Sequence, residues 1–167
     1  MVVSTGHPSD FRHPEYFAEL MQSLSRWNVR EQFIILGQVP RQDVYRLMRQ
    51  SVCVLNPSTF EGLGLSVAEA KSLGKRVVVS DLAALREQNA PGAAYFDPSD
   101  AGELSDRLAE VWNATPAGPD SQLEAAARAE LAGRQSAFGQ ALADIFLEAQ
   151  AQFGSAPAGL VGTEPRP

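Results

Sequence analysis

The chain has 167 residues, a net charge of −6, 44% hydrophobic and 20% charged residues, which is the size and composition of one globular domain with a substantial core. The acidic balance argues against nucleic acid, whose binding needs a clustered basic face. No apolar run approaches the ~20 residues needed to cross a bilayer, and no basic-plus-apolar leader opens the sequence. Met1–Thr5 reads as a short apolar strand and Gly6–His13 as a polar loop. Pro14 suits a first helical position, and Phe17, Leu20, Met21, Leu24 and Trp27 follow at helical spacing. Phe33–Leu36 reads as a buried strand, and Val44, Leu47 and Met48 mark an amphipathic helix. Next come a strand at Val52–Leu55, a helix from about Leu65, and a strand at Val77–Ser80. A short helix is predicted over Leu82–Gln88 and a strand over Ala93–Phe96. Asp100 with Glu103 reads as a capping box opening a helix that aligns Leu104, Leu108, Val111 and Trp112.

Ala114–Pro119 is a break. The alanine-rich segment beyond it carries a stripe of Leu123, Leu131, Phe138, Leu142, Ile145 and Phe146, expected to pack across the domain with kinks or breaks at Gly133 and Gly139. A domain over 1–152 and a disordered tail over 153–167, rich in Pro, Gly and Ala, are expected. The single cysteine, Cys53, cannot form an internal disulfide and reads as a small buried hydrophobe, so a reducing, cytoplasmic setting is expected. Lys75 and Arg76 read as solvated.

The stretch that carries chemistry runs from Asn56 to Ala70. It joins strand to helix through a loop with Gly62 and Gly64, between two glutamates, Glu61 and Glu69. Ligands of parallel strand–helix–strand units sit beyond the carboxyl ends of the strands. Glycines there let backbone N–H groups approach a ligand, and the helix N-terminus favours a phosphate. Two carboxylates beside such a cradle make sense as acceptors for sugar hydroxyls. The glycines match G-x-G-x-x-G only in part, with Val67 at the third position, and the Gly-Lys-Ser/Thr of a P-loop is missing. His7 and His13, near Asp10 and Arg12, read as solvated more readily than catalytic. No zinc-type spacing of His or Cys occurs.

The run P-S-T-F-E-G-L-G-L-S-V-A-E-A-K-S-L-G-K-R-V-V-V-S-D resembles the C-terminal, donor-binding domain of family 4 (group 1) retaining glycosyltransferases, which have the GT-B fold. Glu61 and Glu69 match the family's pair of glutamates, Gly74, Ser80 and Asp81 continue the pattern, and Glu87 falls where a further glutamate stands. Phe33–Val39 resembles the family's strand ending in L-G-x-V. The resemblance covers about Met1 to Trp112. It implies an α/β, Rossmann-like parallel sheet flanked by helices, the C-terminal half of a GT-B fold. It further implies a metal-independent enzyme without cofactor that moves a hexose from a nucleoside-diphosphate sugar to an acceptor hydroxyl.

Carried over residue by residue, Glu61 is the catalytic candidate, near the reacting carbon of the sugar. Gly62, Leu63, Gly64, Leu65 and Ser66 line the donor phosphate, Glu69 holds the ribose, and Val39 borders the base. Arg41 could reach base or ribose, although exposure is its expected role. Met1–Thr5 aligns with the family's second strand. The first strand, its basic Arg/Lys loop and the N-terminal acceptor domain are therefore expected to lie outside this chain. That missing strand normally lies between the strands represented by Met1–Thr5 and Val52–Leu55, so the sheet is expected to close differently, borrow a strand, or be compromised. Exposed strand edges then favour self-association, and membrane contact is expected only through the missing domain. The competing readings are a nucleotide-sugar-binding or assembly module without turnover, and a related GT-B epimerase.

Overall fold

The computed structural model describes residues 1–8 and 13–153. Its elements alternate in the expected order: β1 (Val2–Ser4), α1 (Tyr16–Arg26), β2 (Phe33–Ile35), α2 (Arg41–Gln50), β3 (Val54–Asn56), α3 (Leu65–Ser72), β4 (Val77–Ser80), α4 (Ala83–Glu87), β5 (Ala94–Phe96), α5 (Ala101–Ala114) and α6 (Ser121–Phe153). Every strand pair is parallel. The strands nevertheless form two sheets rather than one, β1 beside β2 and, separately, β3-β4-β5. Val2 faces Phe33 in the first, while Val54 faces Val77 and Val78 faces Ala94 in the second. Among the described residues no ladder joins the two sheets, so the strands do not close into one sheet within this chain.

The core belongs to the second sheet. β4 is buried along its whole length, which explains its unbroken Val-Val-Val run, since a central parallel strand is covered on both faces. Val77 and Val79 pack with Val67, Ala70, Leu85 and Ala90 under α3 and α4. Val78 points the other way, to Phe96 and to Val111 of α5. Burying each such side chain contributes roughly 1.5–3 kcal/mol. The β1–β2 sheet has no comparable cover. Val3 is 41% exposed, Ile34 36% and Leu36 44%, so Phe33–Leu36 is not the buried strand expected from its composition.

Other local readings are corrected as well. Lys75 is buried, not solvated: its ammonium donates to the carbonyls of Ser51 at 2.6 Å and Gly118 at 3.0 Å. Ser51 follows the end of α2, where last-turn carbonyls lack helical partners and attract a cation, and Gly118 lies between α5 and α6. Arg76 is half-buried, beside Gly92. Cys53 is only partly buried, against the cluster around Val78, and burial pushes its thiol up. The Asp100 carboxylate caps α5 by accepting from the Glu103 N–H at 2.9 Å, but Glu103 reaches back to the Asp97 N–H at 2.8 Å instead of to Asp100.

α6 runs from Ser121 to Phe153 without a break at Gly133 or Gly139. Alanines on both sides of these glycines supply helix propensity that offsets the ~1 kcal/mol each glycine costs. The start of α6 packs on α3, where Arg49 donates to Glu124 in a fork at 2.7 and 3.0 Å. Its second half does not cross the domain. Phe138 is 70% and Phe146 66% exposed. Phe153 is helical, and the expected tail beyond it lies outside the described residues.

Candidate donor site

The glycine turn lies where the strand–helix rule puts ligands, beyond the carboxyl end of β3 and at the start of α3. Gly64 is the residue before α3 and is left-handed, at φ 71° and ψ 46°. A Cβ there would stand 2.7 Å from the Leu85 side chain, so the position excludes other residues on conformation and space together. The turn is braced from the side: the Gln88 amide donates to the Leu63 carbonyl. Lys71, itself buried, donates to the Gln88 carbonyl at 3.1 Å and pairs with Glu130 of α6 at 2.8 Å.

The organiser of the turn is a residue the sequence reading passed over. Asn56, buried at the last position of β3, accepts from the Ser58 N–H at 3.1 Å through Oδ1. Through Nδ2 it donates to Ser66 Oγ at 3.0 Å and to Glu61 Oε2 at 3.3 Å. A short amide at a strand end that turns on its own backbone two residues later is a recognisable turn signal. Its reach to residues 61 and 66 is visible only in three dimensions. Ser66, expected to line the donor phosphate, accepts the Asn56 amide on its hydroxyl oxygen.

Glu61 curls back over its own loop. The Asn56 amide, then the backbone N–H of Gly64, with Leu63 and Gly62 adding to them, hold its carboxylate below the usual range. Hydrogen bonding to the charged form is the cause, and it outweighs slight desolvation. Around the turn Phe60, Leu63 and Leu65 are all well exposed, giving it an apolar rim.

Glu69 stands one turn into α3 with its side chain 24% exposed. Arg41, at the first position of α2, donates to Glu69 Oε1 at 2.6 Å, and the Tyr45 hydroxyl lies 3.4 Å from the same oxygen. Arg41 also donates to Tyr45 Oη at 2.7 Å. Arg41 is thus exposed, as expected, and also partnered. Val39, half-buried, adjoins this group through the chain, two residues before Arg41. The turn therefore gathers Glu61, Gly62, Leu63, Gly64, Leu65 and Ser66, with Glu69 beyond it on the same helix.

Other candidates lie elsewhere. His13 is 4.0 Å from Glu19, His7 is exposed, and Asp10 and Arg12 lie outside the described residues. Glu87 is exposed, and Asp81 forks with Arg86, with Oδ2 2.7 Å from Nη2. A hollow of about 660 Å³ opens beside Asp81, Arg86, Tyr95 and Arg107 and shares no lining residue with the turn. Among the described residues no three His, Cys, Asp or Glu side chains converge as metal ligands. No described helix is long and apolar enough to cross a membrane.

Comparison with known proteins bears on this geometry. The profile of the family described as Glycosyl transferases group 1 matches residues 13–130. The chain is 33% identical over 88 residues to the O-antigen chain mannosyltransferase B of Escherichia coli, covering 52% of this chain and 23% of that protein. It is 26% identical over 128 residues to the alpha-maltose-1-phosphate synthase of Mycolicibacterium smegmatis (strain ATCC 700084 / mc(2)155), covering 74% of this chain and 33% of that protein. The chain thus spans a quarter to a third of the length of these curated relatives.

Proposed function

Since the chain belongs to the group 1 glycosyltransferases, we propose that it is the nucleotide-sugar-binding part, over residues 1–152, of a retaining enzyme that transfers a hexose to an acceptor hydroxyl. The observation that carries the reading is the glycine turn at the end of β3, with Asn56 and Glu61 on one side and Glu69 one helical turn away. In this reading the amides of residues 62–65 and the start of α3 hold the donor diphosphate. Glu69 accepts from the ribose hydroxyls, Val39 borders the base, and Glu61 swings out to the sugar. The departing phosphate takes the acceptor proton on the face it leaves, which keeps the anomeric configuration. The donor charge is stabilised by amides and helix dipole without metal or cofactor. The mannosyl transfer in one relative's name supports a hexose as the group moved.

The divided sheet favours a second reading for this chain alone, a donor-binding or assembly module without turnover. Titrating the ¹⁵N-labelled chain with ADP-, GDP- and UDP-hexoses tests the site. Weak binding of at least one is expected, with shifts centred on residues 61–69 and no sugar released. Perturbations centred away from the turn, or none with any donor, would refute the site. In an active protein containing this sequence, product of inverted anomeric configuration would refute the chemistry.

A further inference from the structure

Glu69 is given the ribose by the reading above, and that reading leaves a difficulty. A lone carboxylate beside a diphosphate repels it, and a freely rotating carboxylate presents no fixed acceptor to a diol. Two side chains of α2 answer both points. Pro40, at φ −54° and ψ 141°, sets the start of α2, so Arg41 and Tyr45 fall one turn apart on one helical face. Arg41 Nη2 and the Tyr45 hydroxyl both meet Glu69 Oε1, at 2.6 and 3.4 Å. The Arg41 guanidinium also lies over the Tyr45 ring, 5.4 Å from its centroid, and donates through Nε to the Tyr45 oxygen. The three side chains brace one another, and the ring limits where the guanidinium can go.

We propose that Arg41 and Tyr45 are positioning residues of the donor site: they hold Glu69 by Oε1 so that Oε2 faces the 2′- and 3′-hydroxyls of a ribonucleotide. The guanidinium also cancels the Glu69 charge next to the diphosphate. The substrate class this selects is ribonucleoside diphosphate sugars over nucleotides that lack the vicinal diol. An exposed arginine–carboxylate pair alone contributes little to stability, so removing it should alter recognition more than folding. The proposal rests on the donor reading, and its test separates the two.

The probes are ADP, GDP and UDP, each beside its 2′,3′-dideoxy counterpart, titrated into the full chain and followed by ¹⁵N shifts. The wild-type chain should prefer the ribonucleotide by ~10-fold or more, the scale of one or two charge-assisted hydrogen bonds. R41A should drop that preference toward unity with an unchanged melting temperature. R41K, which keeps charge without the fork, should restore part of it, and Y45F should lose less than R41A. Glu69→Gln should match R41A. If R41A binds and keeps the wild-type preference, the positioning role is overturned while the donor site stands. If the wild-type chain binds nucleotides without preferring the diol, Glu69's ribose role falls together with this proposal. If no nucleotide binds at all, the donor reading fails first and this one with it.

Discussion

The Glu61 carboxylate takes the Asn56 amide at 3.3 Å and is stabilised by the nearby N–H groups of the glycine turn, so a donor phosphate would compete with it for them. This has a consequence opposite to simple loss of function. Glu61→Gln should strengthen binding of free pyrophosphate several-fold, because the neutral amide competes less well for the Gly62–Gly64 amides. In an active protein containing the domain, the same substitution should lower turnover far more than donor affinity. The wild-type carboxylate is held below its ordinary range by Asn56 and the Gly64 N–H. It therefore stays in the cradle until pH falls below the usual carboxylate region. The ratio of wild-type to variant pyrophosphate affinity, in which the ligand's own protonation cancels, should then rise with acidification. Calorimetry from pH 7 down to about 3, below ordinary carboxylate titration, would measure both, and equal affinities at neutral pH would show that the cradle is free.

At the scale of elements, two glycines of similar sequence context behave oppositely. Gly139 is helical in α6 with open space where a Cβ would stand, so Gly139→Ala should stabilise by ~0.5–1 kcal/mol through helix propensity and chain entropy. Gly74 is left-handed, at φ 65°, and a Cβ there would lie 2.5 Å from the Leu123 carbonyl. Gly74→Ala must strain the backbone or push α6 off the end of α3, and it should destabilise by more than the other gains. Urea unfolding of the two variants distinguishes these outcomes, and a stabilised Gly74→Ala would contradict the packing of α6 on α3. The sequence reading expected kinks or breaks at both α6 glycines, and the helix does not break at either. Propensity in an alanine-rich run outweighed the breakers, and no residue-level signal shows that weighing in advance.

The whole molecule is uneven in a way its parts do not suggest. A well-packed unit around β4 adjoins a thinly covered β1–β2 pair, and the second half of α6 carries Phe138, Leu142, Ile145 and Phe146 exposed. The division of the sheet gives β1 and β3 edges without a ladder partner among the described residues, and unpaired edges template association. We expect the chain to associate with itself as its concentration rises, through strand edges and the apolar half of α6. Sedimentation over a wide concentration range should show mass increasing above the monomer. A single monomeric species throughout would mean that these surfaces are covered within the chain.

The order of strands and helices, the parallel sheet, the position of the glycine turn and the spacing of Glu61 from Glu69 were all legible in the sequence. Apolar runs, turn residues and motif spacing are local quantities, and they persist whatever the rest of the chain does. The division of the sheet was legible only as a choice among three outcomes, because strand pairing depends on which edges find partners. What tertiary structure alone decided is how side chains meet across sequence. Lys75 is buried because carbonyls from residues 51 and 118 converge on it. Asn56 organises the turn because Glu61 and Ser66 fold back to its amide. Arg41 braces Glu69, 28 residues further along the chain. Charge and hydrogen-bond partners of this kind are set by distance in space, on which a linear pattern is silent.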